Sequence, residues 1–196
     1  MKPRLHLASA SPRRREILRA IGVPHTFAGV DIDETPLPGE PPAGLALRLA
    51  LSKARASRAA RRQGTVILGA DTVVSIDGEM FGKPASQDDA LHMLSCLSGR
   101  VHTVQTAVAL VTAVRELSAL VSSDVRFRDI HPDEARAYWQ TGEPVGKAGA
   151  YAIQGKGGIF VESIRGSFSC IVGLPVFETA RLLQSAGIRI LGLPRD

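Results

Sequence analysis

The segment from Thr65 to Ile76, TVILGADTVVSI, constrains this chain more than any other. Thr65 to Leu68 is apolar and rich in β-branched residues, as a buried strand requires, and Thr72 to Ile76 resumes that pattern up to an Asp77-Gly78 turn. Between the two halves lies Gly69-Ala70-Asp71. Aspartate is a poor strand former and costly to bury without a partner. The sequence therefore predicts a strand that breaks to aim a carboxylate into a cleft. Such a carboxylate can hold a metal ion or take a proton from water. The plainer alternative is a turn aspartate bonded to its own backbone.

Other elements can be placed around this segment. Leu5 to Ala8 reads as a short strand. Ser11 is suited to cap the helix that follows and Pro12 to open it, with Ile17, Leu18 and Ile21 on one face and Gly22 as the stop. Residues 30–42 are loop-like. A long helix is expected from about Ala43 to Arg62, because alanine content and length outweigh the alternation of Leu45, Leu47, Leu49 and Leu51. Ser86 begins a third helix, with Leu91, Leu94 and Leu97 inward, ending near Gly99. Strands are expected near 101–112 and 116–129, a helix over Pro132–Gln140, a strand over Ile159–Ile164, a helix from Pro175 to before Gly187, and a last short strand. The irregular alternation of elements points to an α/β protein with a mixed sheet.

At 196 residues, 44% apolar and 22% charged, the chain suits one globular domain. No apolar run approaches the ~20 residues of a membrane helix. The start of the chain lacks a signal core, since Pro12-Arg13-Arg14-Arg15 falls where it would continue. A cytoplasmic protein without membrane association is expected. Cys96 and Cys170 lack metal-ligand spacing and read as small apolar residues. The five histidines show no zinc-like spacing. The net charge of +5 attracts phosphate. With no aromatic interleaving or familiar nucleic-acid motif, a small polyanion explains that excess better than nucleic acid.

Four further segments are candidates for chemistry. Ser9-Ala10-Ser11-Pro12-Arg13-Arg14 joins a strand end to a helix start, with hydroxyls, backbone N–H groups and guanidinium forks suited to phosphate. Asp31-Ile32-Asp33-Glu34 offers hard oxygen ligands, although Glu34 would point away from Asp31 and Asp33. Lys83, fenced by Gly82 and Pro84, can neutralise phosphate. In 146–155 (GKAGAYAIQG), small residues permit close approach of a ligand, and Gln154 can read an amide-like base edge. Each has a plainer reading as a capped helix, solvated loop, surface lysine or tight turn.

Taken in order, several pieces resemble the Maf family of nucleoside triphosphate pyrophosphatases, also called septum-formation-inhibitor-like proteins. They are LASASPRR (7–14), RLALSKA (48–54), GADTVV (69–74), GKP (82–84), KAGAYAIQG (147–155) and VGLP (172–175). The resemblance implies one domain over 1–196, with an elongated, largely antiparallel sheet flanked by helices and two lobes around a central nucleotide cleft. It implies hydrolysis of a nucleoside triphosphate to monophosphate and pyrophosphate, with a housecleaning or cell-division-linked role. It implies Asp71, Lys53 and Lys83 as catalytic, Ser9, Arg13, Arg14, Thr72 and Gln154 as substrate-binding, and Glu34 and Asp71 as ligands of a divalent cation (Mg, Mn or Co). A homodimer is also implied. Arg13, Thr72 and Gln154 resemble the specificity positions of the dTTP/UTP branch. The alternatives are the 7-methyl-GTP branch and a non-enzymatic nucleotide- or DNA-binding regulator. Gly146 stands where the family has an aspartate, so no carboxylate role is expected there.

Overall fold

The segment from Thr65 to Ile76 is one unbroken strand, β3, and the sheet is arranged around it. The computed structural model describes residues 3–58 and 64–191. β3 runs antiparallel to β5 (Val101–Val111) without a gap from Ile67 to Ser75, with Asp71 opposite Ala107. The expected break in the chain is therefore corrected, because the β5 ladder holds Gly69-Ala70-Asp71 extended.

The interruption falls instead on the other edge of β3. Its first four residues pair in parallel with β1 (Arg4–Leu7), and its last three pair with β4 (Glu79–Phe81). Gly69 to Val73 pairs with neither strand, so one edge of β3 is open at its midpoint. β2 (His25–Phe27) lies outside β1, while β6 (Glu116–Phe127) and β7 (Val161–Arg165) extend the sheet beyond β5. Two strand pairs, β1 with β2 and β1 with β3, are parallel and the others antiparallel. This is the mixed, largely antiparallel sheet expected.

Helices cover both faces. α1 (Pro12–Ala20) and α6 (Val176–Ser185) pack over Leu5, Leu7, Leu68, Val108 and Leu110. α2 (Pro42–Arg58) covers the opposite face, burying Ala46, Leu49, Ala50 and Ala54 against Ile67, Val73 and Ala109. That helix approaches β3 closely. A Cβ on Gly69 would collide with the Ala50 carbonyl oxygen and sit 2.9 Å from the Ala54 nitrogen, so glycine is required there. At the far end of the sheet, α3 (Gln87–Leu97) and α4 (Pro132–Gln140) close a separate core around Phe81, Leu94, Leu97, Phe127 and Phe160. The open edge of β3 lies between the two ends.

Ser86 caps α3 as its sequence suggests, accepting from the Asp89 N–H at 3.2 Å. Ser11 does not cap α1 with its side chain; its own N–H donates to Ser9 Oγ at 3.2 Å. The part of the long helix expected over 59–62 lies outside the described residues. The strand expected at Ile159 begins later, because Lys156–Phe160 forms a 3-10 turn before β7. No strand follows α6 among the described residues, whereas α5 (Phe168–Val172), a short helix, precedes it.

Candidate active site

The chemistry-bearing side chains are held at the open edge of β3. Successive strand residues point to opposite faces, so Asp71 lies on the α2 face and Thr72 on the face covered by α5. Both line the same cleft, which has a volume of about 410 Å³, because it runs across the unpaired edge. The structure brings Ser9, Arg13, Arg14, Glu34, Lys53, Asp71, Thr72, Lys83 and Gln154 together on its walls.

Lys53 organises the α2 face. It lies on the buried stripe of α2 with Ala46, Leu49, Ala50 and Ala54 and is only 8% exposed. Its ammonium donates to Asp71 Oδ1 at 2.6 Å and meets Glu34 Oε1 at 2.6 Å. A buried ammonium between two carboxylates makes the burial of Asp71 tolerable. Lys83 approaches Glu34 Oε2 from the other side at 3.6 Å. Partial burial pushes the Glu34 carboxyl up, but the hydrogen bond and charge of Lys53, helped by Lys83, outweigh it and hold Glu34 below its usual value. As expected, Asp33 turns away from this centre; its Oδ1 accepts from the Thr35 N–H at 2.9 Å. Arg48 braces the same loop, donating to Glu40 and, at 2.9 Å, to the Thr35 carbonyl beside Glu34.

On the Thr72 face, Arg14 is engaged within the protein. It donates to the Gly173 carbonyl at 2.8 Å, to Ser9 Oγ at 3.1 Å and to Thr72 Oγ1 at 3.2 Å. Burial lowers its pKa, and Asp71 acts in the opposite sense. Arg13 makes no ion pair among the described residues. Burial lowers its pKa as well, and Lys147 is lowered by burial and by repulsion from Arg13. The Lys147 ammonium donates to the Val145 carbonyl at 2.9 Å. The cleft thus sets five cations (Arg13, Arg14, Lys53, Lys83 and Lys147) against two carboxylates (Glu34 and Asp71). That excess of positive charge suits a polyanion.

The segment carrying Lys147 and Gln154 is shaped from below. Glu143 accepts from the Tyr138 hydroxyl at 2.7 Å, the Lys156 N–H at 3.0 Å and the Gly157 N–H at 2.9 Å. Tyr138 Oη in turn accepts from the Ala152 N–H at 3.1 Å. The Gly149 N–H donates to the Gly82 carbonyl at 3.1 Å, tying this segment to the one that carries Lys83. Neither Glu143 nor Tyr138 stands out in the sequence. Lys53 does leave a local signal, since a lysine falls in phase with the apolar residues of a helix.

The chain belongs to the Maf-like protein family, whose model matches residues 4–186. Within that family it is similar to proteins named dTTP/UTP pyrophosphatase. The one from Aromatoleum aromaticum is 49% identical over 203 residues, covering 95% of this chain and 98% of that protein. Those from Pseudoalteromonas atlantica and Anaeromyxobacter dehalogenans are 52% and 51% identical, covering 92% and 95% of this chain and 95% and 96% of theirs.

Proposed function

We propose that this protein hydrolyses nucleoside triphosphates, dTTP and UTP foremost, to the monophosphate and pyrophosphate. One observation carries the reading: the Asp71–Lys53–Glu34 cluster, with 2.6 Å contacts, sits at the open edge of β3 in a cleft lined by five cations and two carboxylates. The names of relatives near half identity support the same activity and substrates.

The donor set fits a divalent cation shared with substrate. Two carboxylates already converge on one ammonium at 2.6 Å each, and no group of three His, Cys, Asp or Glu side chains gathers among the described residues. Mg²⁺ or a similar ion uses one or two carboxylates and completes its shell with water and phosphate oxygens. Glu34 and Asp71 would hold Mg, Mn or Co, which when bound supplies charge to the phosphate oxygens.

The protein's own residues supply the remaining steps. Asp71 Oδ1 is fixed by Lys53, and Oδ2 takes no hydrogen bond from any described residue. Oδ2 accepts a proton from a water as that water's oxygen bonds to the α-phosphorus. The bond from the α-phosphorus to the bridging oxygen breaks, and pyrophosphate leaves with the electron pair. Arg13, Lys53, Lys83 and the Ser9 hydroxyl oppose the charge that develops on it. Gln154 and Thr72 contact the base. A homodimer, a cytoplasmic setting and a housecleaning or cell-division-linked role accompany this reading. Among the described residues, no helix is long and apolar enough to cross a membrane.

The test is a panel of canonical and 7-methylated triphosphates, with pyrophosphate release measured while Mg²⁺, Mn²⁺ or Co²⁺ is titrated and then removed with EDTA. Cation-dependent turnover favouring dTTP and UTP is expected. Preference for 7-methyl-GTP, or nucleotide binding without turnover, would overturn the proposal.

A further inference from the structure

Thr106 lies behind the cleft, beneath Thr72, and is fully buried. Four groups form a chain there. Arg14 donates to Thr72 Oγ1 at 3.2 Å, Thr72 Oγ1 lies 2.9 Å from Thr106 Oγ1, and Thr106 donates to the Cys170 carbonyl at 2.7 Å. The direction of the chain follows from counting protons. A carbonyl oxygen only accepts, and a hydroxyl oxygen 2.7 Å from it without an intervening proton would place two lone pairs in contact. The single Thr106 proton therefore goes to Cys170. The Thr72 proton then goes to Thr106, and the remaining donor, the Arg14 guanidinium, points at Thr72. Thr72 has no proton left to offer a ligand, only a lone pair.

The surroundings indicate what meets that lone pair. Thr72 shares its sheet face with Val74, Val104 and Thr106, and Tyr151, Ile153 and Ile171 add apolar lining on the cleft wall. The Lys53–Asp71–Glu34 centre is on the opposite face. Beside these apolar walls a flat ring carrying an N–H suits the Thr72 lone pair, whereas a deprotonated phosphate oxygen, which only accepts, does not. On the reading that the cleft holds a pyrimidine triphosphate, we propose that Thr106 sets base specificity by fixing Thr72 as an acceptor. Uracil and thymine present an N3–H donor to it. Cytosine presents a bare N3, and two acceptors then face each other without a proton. Thr106 touches no substrate; it is a positioning residue acting through Thr72.

The test compares kcat/KM for dTTP with that for dCTP in the wild type, Thr106→Val and Thr106→Ser, with thermal melting to confirm folding. Valine keeps the shape and removes the acceptor, so the Thr72 proton is free to turn toward a bare N3. The dTTP/dCTP ratio is expected to fall by about tenfold or more in Thr106→Val, mainly through KM, and to stay at the wild-type value in Thr106→Ser. If Thr106→Val does not fold, Thr106→Ala carries the same test, since a water filling its space can donate to Thr72 as well as accept from it. A wild-type ratio in a folded Thr106→Val or Thr106→Ala overturns the inference, as does a wild type that turns over dTTP and dCTP equally. Both results leave triphosphate hydrolysis standing. A wild type that cleaves no pyrimidine triphosphate overturns the underlying reading and this inference with it.

Discussion

Lys53 and Asp71 should be strongly coupled in stability, independently of any activity. Their side chains are 10% and 11% exposed, and the ammonium and carboxylate meet at 2.6 Å. Lys53→Met removes the charge and keeps much of the volume. It leaves Asp71 buried without a counter-ion, a situation that costs about 3–5 kcal/mol when burial is complete. Two features reduce that figure: the cleft admits water, and the second partner, Glu34, is 42% exposed. About 3 kcal/mol is the expected loss, or a melting temperature lower by about 6–12 °C for a chain of this size. Asp71→Asn alone should cost about 2 kcal/mol, because Lys53 keeps a hydrogen-bond acceptor but loses a charge. In the double variant no buried charge is stranded at the pair. Its loss should fall short of the sum of the single losses by about 1–3 kcal/mol. Urea denaturation of the four proteins, followed by circular dichroism at neutral pH and low salt, measures the cycle. Losses that add to within about 0.5 kcal/mol would refute the claim that Lys53 exists to neutralise Asp71.

Three further predictions follow from the same geometry. Burial depresses the pKa of His102 from 6.5 to about 4, with Asp124 opposing the shift. The folded state thus binds this proton more weakly than the unfolded chain, and the resulting stability is complete above pH 6.5 and lost as pH falls toward 4. An NMR titration should give His102 a pKa near 4, and a value near 6.5 would contradict its burial. Gly69→Ala should cost about 2–3 kcal/mol in urea denaturation and lower turnover, because the added methyl pushes α2, and Lys53 with it, away from β3; a neutral effect would show that the close approach is not needed. Lys147→Gln should weaken binding of inorganic pyrophosphate by about tenfold in calorimetry, with Lys147→Arg retaining it; unchanged binding in the glutamine variant removes Lys147 from the anion site.

The sequence revealed the elements but not what happens between them. The helices at Pro12, Ser86 and Pro132 and the long strands 101–112 and 116–129 were legible because caps, turns and apolar periodicity are local signals. β2 and β4 were not: three residues carry no period, and each exists only because a neighbouring strand offers an edge. The misreading at Gly69-Ala70-Asp71 has the same origin. The sequence shows a residue that a buried strand should reject. Whether the chain bends there or keeps straight and loses a neighbour depends on β1, β4 and β5, which are remote in sequence. Asp71 was legible because it conflicts with its surroundings. Glu34 and Lys83 were local candidates, as a loop carboxylate and a lysine fenced by Gly82 and Pro84, whereas Lys53 was singled out by family resemblance. Thr106 was not legible at all, since a threonine in an apolar strand satisfies every local preference. Its polarity becomes visible only once Arg14, Thr72 and Cys170 are brought to it.

The central claim is that Asp71, held by Lys53 at the open edge of β3, takes the proton from the attacking water. Asp71→Asn keeps the shape and removes the basic oxygen. Single-turnover release of pyrophosphate from dTTP, at saturating Mg²⁺ with folding verified, tests it most directly. A rate lower by about 100-fold or more is the predicted result. Pyrophosphate release at the wild-type rate would contradict it.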